Sequence, residues 1–192
     1  MLAYLLSIFK LLIFLTMFYI NTERLWLIPL SLDQLYILKT NRNTLERELG
    51  LSKSNFEINS QYDFIELLKE SIENFSIPNI INKPDAFLFY THWIMVLNEQ
   101  NLTIGGMGMG GLPDAHGNVT IGYFIDAKFE SQGYASEALS GFINWLKTIP
   151  EVKTVSAETL EDGYASQKVL IKNGFEYAGK MEEGLKWILI IK

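Results

Sequence analysis

The sequence predicts an α/β fold of the α+β kind, with a mixed, mostly antiparallel central sheet flanked by helices. Three observations carry this expectation. Short runs of aliphatic and aromatic residues alternate with segments of helical periodicity, in the order β-α-α-α-β-β-β-α-β-α-β-β. The three central strands follow one another on short connections, which suits an antiparallel meander. No internal repeat, linker or low-complexity stretch divides the 192 residues, so the elements share one core.

The first strand is Arg24–Leu30, closed by a proline at Pro29. Ser31 then caps a helix over Leu32–Thr40, and a second helix, Asn43–Leu49, stops at Gly50. Tyr62–Asn74 is amphipathic, with Phe64, Ile65, Leu68 and Ile72 on one stripe and Asp63, Glu66, Lys69 and Glu73 on the other, as in a core-facing helix. Pro78–Pro84 reads as a loop, and the aromatic run Ala86–Asn98 reads as a strand. Leu102–Gly108 and Val119–Ile125 complete the meander around a Gly/Pro/Asp loop. A helix over Tyr134–Thr148, a strand over Thr154–Thr159, a helix over Tyr164–Asn173 and strands Phe175–Ala178 and Trp187–Ile191 finish the chain. The last strand is apolar enough to suggest a homodimer contact.

Residues 1–16 stand ahead of this pattern as an apolar extension interrupted by Lys10. Its length suits a membrane span. It lacks the leading positive charge and the small-residue cleavage site of a signal peptide. The preferred reading is a cytoplasmic domain over 17–192 that begins at Met17, with the extension not part of the native protein and a membrane anchor as the alternative.

Composition narrows the function. The chain is 48% apolar and 20% charged, with a net charge of −6 and no basic cluster, which argues against nucleic acid and favours a cationic partner such as an amine. With no cysteine there is no disulfide, thiolate zinc site or cysteine nucleophile. His92 and His116 lie too far apart for metal-ligand spacing, so no metal is expected. His92 reads as a core residue of its strand and His116 as a solvated loop residue.

Two glycine-rich stretches compete as anion sites. Gly106-Met107-Gly108-Met109-Gly110-Gly111 has the spelling G-x-G-x-x-G, but a Leu-Pro-Asp loop follows it where that fingerprint requires a helix. Close backbone packing is the better explanation there. The turn from Asp126 to Ala135 does lead a strand into a helix. Unpaired N–H groups of the first helical turn, with the positive end of its dipole, can hold an anion. Ser131, Gly133, Ala135 and Ser136 are small enough to let a phosphate approach the backbone there, beside Gln132 and Tyr134.

Ile121-Gly122-Tyr123-Phe124-Ile125, followed by Gln132-Gly133-Tyr134-Ala135-Ser136-Glu137-Ala138, resembles motif A of the GNAT superfamily of acyl-CoA transferases, R/Q-x-x-G-x-G/A. Ala157-Glu158-Thr159 and Ala165-Ser166-Gln167-Lys168-Val169-Leu170-Ile171-Lys172-Asn173-Gly174-Phe175 resemble motif B. Thr22-Glu23-Arg24-Leu25 is similar to the opening of the branch that includes the ribosomal-protein alanine acetyltransferases. The likeness runs from Met17 to Ile191. Four positions depart from the pattern: Glu130, Ser131, Gly163 and Thr120 stand where the family has Arg/Gln, Gly, Asn and, often, an acid.

The resemblance implies direct transfer of an acetyl group from acetyl-CoA to a primary amine, on a small molecule or a protein N-terminus. It also implies that a bulge splays Gly122–Asp126 from Thr154–Thr159, so that backbone N–H groups near Phe124 and Ile125 meet the cofactor arm. Glu158 is the candidate base, with a structural hydrogen bond to a neighbouring loop as the other reading. Tyr164 or Ser166 is the candidate acid for the departing thiolate, with a helix cap as the other reading of Ser166. A catalytically weak acetyl-CoA sensor or interaction module is the alternative function.

Overall fold

A computed structural model of the chain describes residues 18–58 and 63–192. The expected start at Met17, the extension of residues 1–16 and the helix start at Tyr62 lie outside the described residues. Among them, an eight-stranded sheet runs in the order β1-β2-β3-β4-β5-β6-β8-β7. The strands are β1 (Ile20–Asn21), β2 (Leu25–Pro29), β3 (His92–Leu97), β4 (Leu102–Met109), β5 (Asn118–Ile125), β6 (Thr154–Thr159), β7 (Glu176–Met181) and β8 (Gly184–Ile190). All pairs are antiparallel except β5 with β6.

One face of the sheet carries α1 (Leu32–Thr40), α2 (Arg42–Glu48), α3 (Phe64–Ser71) and α4 (Ile77–Asn82), with a π turn, Ile72–Ser76, joining the last two. Ser31 and Gln34 form a capping box at the start of α1. Leu35, Ile72, Ile94 and Val96 lie at the centre of that face's core. α5 (Phe87–Tyr90) leads into β3. The opposite face carries α6 (Tyr134–Leu146) and α7 (Tyr164–Lys172). Here Trp93 and Phe142 are wholly buried, edge to face at 5.1 Å, and each contributes about 1.5–3 kcal/mol by burial.

Three expectations are corrected. Pro78–Pro84 is largely helical, because Pro78 occupies the first turn of α4, where its missing N–H is not needed. The expected strand over Ala86–Asn98 begins only at His92, and Phe87–Tyr90 forms α5. The closing strand β8 lies between β6 and β7, so both its edges are taken and it offers none to a partner.

Gly105 and Gly106 confirm the close-packing reading of the glycine-rich strand. A Cβ on Gly105 would lie 2.5 Å from the Phe124 carbonyl oxygen, and one on Gly106 2.6 Å from the Phe124 ring. Gly105→Ala must push backbone against backbone, so unfolding in urea is expected to show a loss of about 1–3 kcal/mol. An unchanged midpoint would mean that β4 and β5 can part without cost.

Candidate active site

β5 and β6 pair only over Asn118↔Thr154, Val119↔Val155 and Thr120↔Ser156. Beyond that point β5 stays in unbroken register with β4 through Ile125, while β6 pairs with β8 along its whole length. The two strands therefore diverge. The expected bulge in Gly122–Asp126 is absent, since the register shifts fall at Met95/Val96 and Tyr177/Gly179. The splay comes from the different partners of the two strands.

A cavity opens on each face beside the gap. One, of about 600 Å³, lies against α6 and α7 and is lined by Ile125, Ser131, Gly133, Tyr134, Ala135 and Ser136, among others. The other, of about 560 Å³, lies under α3 and includes His92, Gly122 and Glu158. Phe64, Tyr123 and Phe124 line both, so they form the wall between them. The Phe64 and Phe124 rings lie 4.5 Å apart, tilted by 55°.

The loop ahead of α6 is shaped to present N–H groups. Ser131 and Gly133 both take positive φ, +59° and +84°. Ser131 is a non-glycine residue in the left-handed region, which is uncommon and points to a conformation held by its surroundings. The backbone N–H groups of Ser131, Gln132 and Gly133 have no acceptor among the described residues. Gly133 caps α6 and opens its first turn. Ser136 Oγ accepts from Asn173 Nδ2 at 3.0 Å, which ties the start of α6 to the end of α7. Glu130, Lys168 and Lys172 also line this cavity.

Sequence reasoning missed what braces this loop. Arg24 Nε donates to Glu137 Oε2 at 2.6 Å, Arg24 Nη1 donates to the Gln132 carbonyl at 3.3 Å, and the guanidinium lies 4.2 Å over the Tyr134 ring. Thr22 Oγ1 and the Arg24 N–H also donate to Glu137 Oε1, each at 2.7 Å. Burial alone would push the Glu137 carboxyl up. The three hydrogen bonds from Thr22 and Arg24, with the guanidinium charge, outweigh it and hold the group below its ordinary value. The signal in the sequence was Thr22-Glu23-Arg24, but its partner lies 113 residues away.

On the gap itself, the Tyr123 hydroxyl and Ser166 Oγ are 2.9 Å apart, and the hydroxyl also donates to the Ser166 carbonyl at 3.2 Å. Burial raises the Tyr123 phenol above its ordinary value, so it stays protonated at neutral pH. Ser166 is the third residue of α7, and Gly163 holds the cap position. Tyr164 is 67% exposed and lines neither cavity. Glu158 sits on β6 at the second cavity, and its side chain makes no hydrogen bond or ion pair among the described residues, the loop contact considered for it included. Thr120 Oγ1 is 3.0 Å from Ser156 Oγ. His116 is exposed in its loop, but His92 lines the second cavity, and its Nε2 is buried without a partner among the described residues.

A strand pair that parts beside a helix N-terminus, with a cleft on each side, defines the acyl-CoA transferase class. The chain belongs to the GNAT acetyltransferases: residues 53–176, more than half of it, match the acetyltransferase (GNAT) domain. It is 29% identical over 173 residues to the uncharacterized N-acetyltransferase YjdG of Bacillus subtilis (strain 168), covering 90% of this chain and 98% of that one. RimL, a ribosomal L7/L12 alpha-N-protein acetyltransferase solved in complex with coenzyme A, shares the fold at a TM-score of 0.64 and 18% identity, over 91% of this chain and 98% of that one. A ribosomal-protein-S5-alanine acetyltransferase from Vibrio fischeri does so at 0.62 and 14%, over 90% and 96%. No helix of the described residues is long and apolar enough to cross a membrane.

The depressed Glu137 carboxyl contributes stability above its unfolded pKa, and that contribution fades as pH falls through the lower folded value. Glu137→Gln is therefore expected to cost about 1–2 kcal/mol at pH 7, with half-exposed Arg24 limiting the figure. The deficit should shrink on acidification below the ordinary carboxylate range. Urea midpoints at pH 7 and in acid check it, and a deficit independent of pH would assign the stability to packing instead.

Proposed function

We propose that the chain transfers an acetyl group from acetyl-CoA to a primary amine, directly and without an acyl-enzyme. The observation that carries this reading is the wall shared by the two cavities at the point where β5 leaves β6. The pyrophosphate lies on the N–H groups of Ser131 to Ser136, and the pantetheine arm follows the freed edge of β5 at Phe124 and Ile125. Lys168 and Lys172 offset the Glu130 charge in the same cleft.

The acceptor enters from the α3 side. An alkylamine with an ordinary pKa near 10 is almost wholly protonated at pH 7, so a base must remove a proton. Glu158 supports that role because it faces the acceptor cavity and is committed to no other partner. The nitrogen then attacks the thioester carbonyl. The N–C bond forms, the nitrogen gives up its second proton to solvent as the tetrahedral intermediate collapses, and the C–S bond breaks. Ser166, with the Tyr123 hydroxyl behind it, supplies a proton to the departing thiolate on the cofactor side. Tyr164 is exposed and lines neither cavity, so Ser166 is the stronger candidate for this proton.

Glu158→Gln is expected to lower kcat/KM at pH 7 by about 10²–10⁴-fold, with recovery as the pH approaches that of the free amine. A pH profile of thiol release checks this, and a flat, unimpaired profile would remove Glu158 from the mechanism. Gly133→Asp puts a carboxylate and a strained φ of +84° at the anion site, so it should abolish acetyl-CoA binding with the fold retained. Calorimetry showing normal affinity would mean that the phosphates bind elsewhere.

A further inference from the structure

One row of residues crosses the floor of the acceptor cavity. His92 on β3 pairs with Gly108 on β4, and Gly108 pairs with Gly122 on β5. Thr120 pairs with Ser156, so two residues further along the diverging strands the same line reaches Glu158. Directly paired residues present their side chains to the same face, and residues two apart share it. All four line the cavity.

The middle of this row is bare backbone under open space. A Cβ on Gly122 would meet nothing within 4 Å, and one on Gly108 only the Thr91 carbonyl oxygen at 3.6 Å. Unlike Gly105 and Gly106, these glycines make room for nothing among the described residues. The ends of the row differ in charge. Burial lowers the His92 imidazole to about 4, so it is neutral at pH 7, and among the described residues Glu158 is the only formal charge lining the cavity. The walls are apolar, with Phe64, Leu67, Phe75 and Tyr90 among them.

Building on the acetyl-transfer reading, we propose that this slot takes a primary amine carried on a ring-sized apolar body, with the amine at Glu158 and the body over Gly108 and Gly122. Small-molecule sites of this kind are mostly apolar with a few polar groups fixing orientation. A polyamine would bury further charges with no second carboxylate among the described residues to meet them, and an amino sugar carries more hydroxyls than the two unpartnered polar atoms of this lining, Ser76 Oγ and His92 Nε2, can satisfy. The amine's source can be a free arylalkylamine or a peptide N-terminus whose first residue is aromatic.

Thiol release from acetyl-CoA by the full chain tests this with phenethylamine, spermidine, glucosamine and short peptides beginning with Phe or Ser. The kcat/KM for phenethylamine is expected to exceed those for spermidine and glucosamine by about tenfold or more, with the Phe peptide above the Ser peptide if the source is an N-terminus and phenethylamine above both if it is a free amine. Gly122→Leu should fill the slot and lower the phenethylamine value at least about tenfold, with coenzyme A affinity unchanged. Gly108→Val serves as a second variant, and coenzyme A binding reports that each has folded. Equal or better use of spermidine or glucosamine, or an unimpaired Gly122→Leu, overturns the slot and leaves acetyl transfer standing. Release with none of the amines overturns acetyl transfer. The slot is then read without turnover, by calorimetric titration of phenethylamine into the coenzyme A complex: heat that Gly122→Leu abolishes supports it, and no heat overturns it.

Discussion

The arrangement of this protein depends on a strand that can keep only one of its neighbours. β5 pairs in parallel with β6 for three residues and then stays with β4, while β6 stays with β8. What holds β5 to β4 is visible in the glycines of β4. With no Cβ at Gly105 or Gly106, β4 lies directly against the Phe124 backbone and ring. A side chain at either position would force the strands apart and leave β5 free to follow β6. The opening between β5 and β6 is thus the geometric remainder of two well-made ladders, and both cavities are its consequence.

The two sides of the opening are chemically unlike. The α6–α7 side offers N–H groups, two lysines and the Tyr123–Ser166 hydroxyl pair, and it suits anions and a thiolate leaving group. The α3 side offers apolar walls and one carboxylate, and it suits an amine that must lose a proton. The phosphate-side loop is stiffened from outside by Arg24. A carboxylate in the first turn of α6 is favourable to the helix dipole, and Arg24 uses that carboxylate, Glu137, as its anchor while also holding the Gln132 carbonyl.

The features legible in the sequence are those whose cause is local. The turn from Gln132 to Ser136, the meander and the helix after it each follow from glycine placement and periodicity within a dozen residues. Pro78 misled for a local reason too: a proline marks a break in a helix interior but fits a first turn, and the preceding π turn that places it there has no sequence signature. The aromatic run Phe87–Tyr90 has strand propensity, yet tertiary packing turns it into a helical corner. The Tyr123–Ser166 and Arg24–Glu137 pairs join residues 43 and 113 apart and depend on the assembled sheet. The splay was foreseen from the family pattern, but its cause was not a bulge.

Glycine within strands raises the last question. Each strand-interior glycine costs about 0.5–1 kcal/mol relative to alanine, and net stabilities are only about 5–15 kcal/mol. At Gly105 and Gly106 the cost is offset within the fold, because Phe124 packs where a Cβ would stand. Gly108 and Gly122 have no such return: the space above them is open, and alanine would fit without a clash. Two glycines that weaken adjacent strands and accommodate nothing among the described residues fit the proposed slot, in which an acceptor occupies their space. They lie in line with Glu158, whose side chain has no partner among the described residues, and against the wall shared by the two cavities, where the proposed acceptor would meet the thioester carbonyl.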